Sequence, residues 1–145
     1  MDDEEKEKEL QSLKELEELK EEHQIEELVK FDETDIQEKL QDNAFRIIQY
    51  KEFYYKELDI YENLERKMEA LMGMRYKFYK FDVVEEWTKK EIEDYCLPAD
   101  EKIVSMKKIM KRQKRKVIFF EMAWKSLEKQ GWNMKVYNDR DKHGI

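Results

Sequence analysis

The first 72 residues contain neither glycine nor proline, and the whole 145-residue chain has only Gly73, Pro98, Gly131 and Gly144. Glycine supplies the positive φ of tight turns, and proline fixes φ and removes a backbone donor, so a chain this poor in both has few places to reverse. Sheets built from many short strands need such turns. Long helices do not, and the composition suits them. Charged residues make up 45% of the sequence and hydrophobic residues 40%. A Glu/Lys/Leu-rich mix of this kind predicts an all-α protein of long helices, with coiled coil as one form of it. At 12%, aromatic residues are too frequent for a chain disordered throughout. Helices this charged carry thin apolar stripes, which predicts that the stripes meet partners in other subunits.

Charge divides the chain unevenly. Residues 1–31 hold 13 acids and 5 bases, whereas residues 102–129 hold 10 bases and 2 acids. The expected organisation is an acidic N-terminal arm (1–30), helical but frayed or partly disordered at its start, a long-helix region (31–97), and a C-terminal helix and tail (98–145). The arm reads either as a solvated charge run or as an acidic tail that contacts a basic partner or shields the protein's own anion site. The basic segment suits a polyanion.

The order of helices follows from local signals. Phe31-Asp32-Glu33-Thr34-Asp35 is a helix start, with Asp32 placed to accept from the Asp35 N–H. Apolar residues from Ile36 to Leu71 then recur at intervals near three and four, with a gap at Lys51. They predict one helix from about 34 to 72, extending to about 81 if Gly73 does not bend it. Residues 82–97 read as a short helix or a loop of helical character. Leu97-Pro98-Ala99-Asp100 is a boundary, with Pro98 suited to the first turn of the next helix. There Ile103, Met106, Met110, Gln113, Val117, Phe120, Trp124 and Leu127 alternate at spacings of three and four, a heptad seam expected to drive oligomerisation. Gln113, its one polar member, is a candidate for fixing register. Gly131 is expected to cap this helix, with Trp132 as a hydrophobic lock and a short polar tail beyond.

Two stretches suggest nucleic acid. Arg75-Tyr76-Lys77-Phe78-Tyr79-Lys80-Phe81 interleaves cations with flat rings and contains no acid. Cations neutralise phosphates and rings stack on unpaired bases, which is the chemistry of sequence-tolerant single-strand binding. The plainer reading is a helix end with aromatics packed inward and wet cations. One helical face shows only some of these residues, so not all six from Arg75 to Lys80 can serve as contacts. The second stretch, Lys107, Lys108, Lys111, Arg112, Lys114, Arg115 and Lys116, surrounds the seam with like charge. It reads as a secondary DNA-binding face, as a surface for the acidic arm, or as an ordinary coiled-coil exterior.

Catalytic and cofactor signatures are missing from the sequence. No glycine-rich phosphate loop is present. His23, His143 and the single Cys96 make no metal-ligand cluster, and no nucleophile–base pair stands out by spacing. These features predict a non-enzymatic protein without cofactor or metal. One cysteine, an acidic start without a secretory pattern and no apolar run of spanning length predict a cytoplasmic protein that does not enter a membrane.

From Phe31 onward the chain resembles the phage recombination mediators, the UvsY-like proteins of T-even-type phages. Three ordered blocks carry the resemblance. These are Phe31-Asp32-Glu33-Thr34-Asp35-Ile36-Gln37, then Arg75-Tyr76-Lys77-Phe78-Tyr79, which falls where that family has Arg-x-x-[FY]-Tyr. The third is Leu97-Pro98-Ala99-Asp100 followed by a long helix into Ala123-Trp124-Lys125-Ser126-Leu127-Glu128-Lys129-Gln130-Gly131-Trp132. The resemblance implies a homo-oligomeric helical protein that binds single-stranded DNA. It also implies help in loading a RecA-like recombinase onto DNA covered by single-strand-binding protein, in the cytoplasm of a phage-infected bacterium. The family's motif pairs its Arg with a Lys two residues earlier. The Arg matches Arg75, but the Lys position is Gly73 here, leaving Lys77 and Lys80 as alternative sources of charge. The reading from residues that competes with this one is a coiled-coil interaction scaffold with no nucleic-acid role.

Overall fold

The structure, a computed structural model, describes residues 3–142, with side chains to residue 140. His143 and the expected fraying at residues 1–2 lie outside the described residues. The described chain is all-α. Its elements are α1 (Asp3–His23), α2 (Ile25–Val29), α3 (Ile36–Phe78), a π-helical turn (Tyr79–Val83), α4 (Lys89–Glu91), a second π-helical turn (Ile92–Cys96) and α5 (Glu101–Lys142). No helix among the described residues is long and apolar enough to cross a membrane.

The elements begin and end for local reasons. Gln24 separates α1 from α2 by adopting a left-handed conformation, φ 44° and ψ 52°. For a residue with a Cβ this costs about 1–2 kcal/mol, which the packing of Ile25, Leu28 and Val29 must offset. Asp32 starts α3 as expected, its Oδ1 accepting from the N–H groups of Thr34 (2.8 Å) and Asp35 (3.2 Å). In return Asp35 Oδ1 accepts from the Asp32 N–H at 2.7 Å. The Lys39 ammonium donates to the carbonyls of Lys30 and Glu27, satisfying acceptors at the end of α2. Gly73 does not interrupt α3. The long helix runs on into the π-helical turn at Tyr79.

The helices gather into two compact units. The first joins the residues up to Lys56 with those from Arg115 onward. Its core is Tyr50, Phe120, Ala123 and Leu127, with Leu19, Ile25, Leu28, Val29, Ile47, Phe53 and Tyr54 packed around it. His23, at the end of α1, is half-buried among Tyr50, Phe53, Phe119 and Phe120, at ring-centroid distances of 5.4, 5.6, 6.1 and 5.3 Å. Its Nδ1 is 3.0 Å from the Tyr50 hydroxyl. The N-terminal segment is therefore not a detached arm, because its C-terminal half and α2 cover the aromatic core. Lys51, the gap in the stripe of α3, lies with its ammonium 4.7 Å over the Trp124 ring, so a cation–π contact fills the position where an apolar residue was missing.

In the same unit α5 continues through Gly131, which corrects the expected helix stop. Asn43 of α3 donates its Nδ2 to the Leu127 carbonyl at 2.9 Å and approaches Gln130 Oε1 at 3.4 Å. A Cβ on Gly131 would lie 2.4 Å from Asn43 Oδ1. The glycine marks a close approach between two helices and not a helix end. Trp132 is 68% exposed and locks nothing, while Met134 beyond it is fully buried. Tyr137 donates to Glu33 at 2.7 Å, and Gln37 donates to Asn138 at 2.9 Å. The expected short polar tail is packed helix as far as it is described.

The second unit, Glu57–Lys114, has a core of Met68, Ile92, Leu97 and Ile103, with Leu71, Tyr76, Tyr79, Val84, Cys96, Met106 and Met110 against it. α4 begins with Thr88 and Glu91 capping each other's backbone N–H groups. Gln113 is buried, and its Nε2 donates to the Glu57 carbonyl (2.9 Å) and to Glu57 Oε2 (2.6 Å). The heptad seam thus finds its partners inside the chain. Ile103, Met106, Met110 and Gln113 pack in this unit, and Val117, Phe120, Trp124 and Leu127 in the first. The spacing is accounted for without a second copy.

Two glycine substitutions test this packing in opposite directions. Gly131→Ala gains about 1 kcal/mol of helix propensity but must displace a hydrogen-bonded Asn43, and overpacking of this kind costs about 1–3 kcal/mol. Nothing lies within 4 Å of a Cβ on Gly73, so Gly73→Ala should stabilise by about 1 kcal/mol. Urea denaturation should therefore show a lower midpoint for Gly131→Ala and a higher one for Gly73→Ala.

Candidate nucleic-acid interface

Asp100 organises the basic–aromatic segment. It precedes α5 and is 3% exposed. Its Oδ1 accepts from the N–H groups of Lys102 (3.0 Å) and Ile103 (3.1 Å), a helix N-cap. Its Oδ2 accepts from Arg75 Nε (2.8 Å) and from the Tyr79 hydroxyl (2.7 Å). Arg75 and Tyr79 stand one helical turn apart on α3 and its extension, so both reach one carboxylate. Pro98 accordingly lies in the turn before the cap and not in the first turn of α5, which starts at Glu101.

Charge and burial at this node work against each other. Burial would raise the Asp100 carboxyl, but the hydrogen bonds from Tyr79, Arg75 and the Ile103 N–H outweigh it and hold the group below its ordinary value of 3.8. The same contacts push Arg75 up through its bond to Asp100, and Tyr79 up through its bond to Asp100 and its burial.

The segment splits by face. Arg75, Tyr76 and Tyr79 are turned inward: Tyr76 and Tyr79 pack on the core of this unit, and Arg75 is bound to Asp100 with its guanidinium 4.3 Å from the Phe78 ring. Lys80 is also engaged, donating to the carbonyls of Trp87 (2.7 Å) and Glu85 (3.1 Å) and so tying the loop after the π-helical turn. Outward stand Met74, Lys77, Phe78 and Phe81, at helical spacings of three and four, with Phe81 67% exposed. A face that sets a cation beside accessible rings can meet a phosphate and stack on bases at once.

The basic run divides between the two units. In the second unit Lys107, Lys111 and Lys114 follow one stripe of α5, with Lys107 and Lys111 exposed and Lys114 lying 4.9 Å over the Tyr61 ring. Lys108 and Arg112 occupy the neighbouring stripe and interact within the chain. The run begins about 10 Å along the helix from Asp100, at 1.5 Å per residue. In the first unit Arg115 donates to Ser12 Oγ at 2.8 Å and lies 3.9 Å from Glu9, so α1 engages this end of the run; Lys116 is half-buried.

Reading residues in order missed Asp100 as the partner of Arg75. The available signal was an Asp three residues before the first seam position, Ile103, which is an N-cap spacing. Its second oxygen is assigned only by folding, since Arg75 is 25 residues away. The exposed pair of Trp87 and Tyr95, with ring centroids 6.3 Å apart, was likewise not singled out. Comparison of the chain with protein-family models, with curated proteins and with solved structures finds no match.

The Asp100 node gives a stability prediction with a definite pH sign. Asp100→Ala removes a cap and leaves buried donors unpaired, and should destabilise by on the order of 3 kcal/mol in chemical denaturation. Because the folded carboxyl is depressed, its contribution is fully present above the ordinary value of 3.8 and is lost as pH falls below that through the folded value. The stability difference between wild type and Asp100→Ala should therefore be constant near neutrality and shrink below about pH 4.

Proposed function

We propose that this chain is a single-stranded DNA-binding recombination mediator. In this reading it has no enzymatic role, and it helps a RecA-like recombinase load onto DNA covered by single-strand-binding protein, in the cytoplasm of a phage-infected bacterium. The observation that carries the reading is the outward face of the basic–aromatic segment, where the exposed Lys77 shares one stripe with the exposed rings of Phe78 and Phe81. The exposed Lys107 and Lys111 of the same unit support it, as does the ordered resemblance of three sequence blocks to the UvsY-like mediators. Lys77, Lys107 and Lys111 would sit on phosphates, and Phe78 and Phe81 on bases.

One such face binds a strand weakly, so the proposal includes self-association. Several copies of the face on one strand would gain affinity through effective concentration. With the seam packed inside the chain, exposed apolar residues such as Met122 and Trp132 of α5 are the better candidates for contact between copies. Those residues also support the competing reading, an interaction scaffold without a nucleic-acid role.

Binding of a labelled oligothymidine across a salt series separates the two. A mediator should bind at low salt, with a log–log slope of about −0.7 per phosphate neutralised. Lys77→Ala should flatten that slope by about 0.7, whereas Phe81→Ala should weaken binding by about 1–3 kcal/mol with the slope unchanged. No binding at low salt would leave the scaffold reading.

A further inference from the structure

Arg75 matches the Arg of the mediators' motif, yet the charge of its guanidinium is already balanced within the chain. Asp100 Oδ2 lies 2.8 Å from its Nε, the Phe78 ring 4.3 Å from its centre and the Tyr79 ring 5.5 Å. The Arg75 side chain is 20% accessible and that of Asp100 only 2%. Four hydrogen bonds also hold the carboxylate in place. Two N–H groups of α5 hold one of its oxygens, and Tyr79 shares the other with Arg75. Turning Asp100 away from Arg75 would uncap α5, so it is an anion held beside the guanidinium.

We infer that Asp100 is a built-in competitor for the phosphate site of Arg75, and so sets the affinity of this face for single-stranded DNA. The inference rests on the strand-binding reading above. In the resting chain the pair is neutral, and Lys77 supplies the free charge of the segment. A phosphate that reaches Arg75 meets a cation whose charge is already balanced by a carboxylate beside its Nε, which keeps the site weak and reversible. A mediator needs that property, because a strand gripped tightly by the mediator would not pass to another protein.

The test is Asp100→Asn. Asparagine also caps helices well: its amide oxygen still accepts at the cap, while the NH2 in place of the second oxygen cannot accept from Arg75, so the cap is kept and Arg75 is released. Asp100→Ser, which also caps, serves as a second variant, and a thermal melt checks that each is folded. With one further phosphate neutralised, binding to a labelled oligothymidine should steepen in log–log salt slope by about 0.7 and tighten about fivefold at 0.1 M salt. In Arg75→Ala/Asp100→Asn both gains should vanish. Wild-type binding with neither capping variant tighter overturns this inference alone. So does a gain that survives in the double variant, since removal of a negative charge would then act without Arg75. No binding by wild type or by either variant overturns the strand-binding reading itself.

Discussion

Thin apolar stripes on highly charged helices are the constraint on which this structure depends. Neither α3 nor α5 carries enough apolar surface to stand by itself, and each leaves exposed faces dominated by Lys and Glu. Within each unit the two helices supply one another's missing wall. Tyr50 meets Phe120 and Leu127 in the first, and Met68 meets Ile103 in the second. At Gly131 the Asn43 side chain comes so close that an added Cβ would force it to shift. Where the stripe fails, a polar group is satisfied individually: Lys51 over Trp124, Gln113 on Glu57. Gln113 is the buried one of the two, and its bonds to Glu57 keep its amide nitrogen from being left unpaired.

The same economy shapes the candidate interface. A segment with three cations and four aromatics looks like a uniform binding surface when written as a string. Folded, it is divided by one carboxylate. Asp100 draws Arg75 and Tyr79 inward and caps α5 with its other oxygen, joining the end of α3 to the start of the helix that carries the basic run. Lys80 is committed to two loop carbonyls. The outward face that remains is narrower than the string suggests, yet it has a clear chemical character: a cation beside accessible rings.

Much of the fold was legible in order along the chain, because helices are written locally. The scarcity of glycine and proline, the Asp32 cap and the apolar spacing describe the extent of α3 and the start of α5 closely, though not where α5 ends. What was not legible depended on partners distant in sequence. The 3–4 spacing from Ile103 to Leu127 specifies a helix that packs along one face, but not whether the partner is another subunit or α3 of the same chain. Gly131 carries the same signal whether it ends a helix or admits a neighbour, and only Asn43 decides between them. Arg75 shows its charge in the sequence but not the carboxylate that neutralises it.

The central claim is that the segment meets a strand through its outward face and not through all of its rings. Photo-cross-linking of an oligothymidine to the protein, followed by mass-spectrometric mapping of the attached residues, tests this directly. The account predicts adducts on Phe78 and Phe81, with Tyr76 and Tyr79 unmodified. Adducts confined to Tyr76 and Tyr79, or none anywhere in residues 74–81, would contradict it.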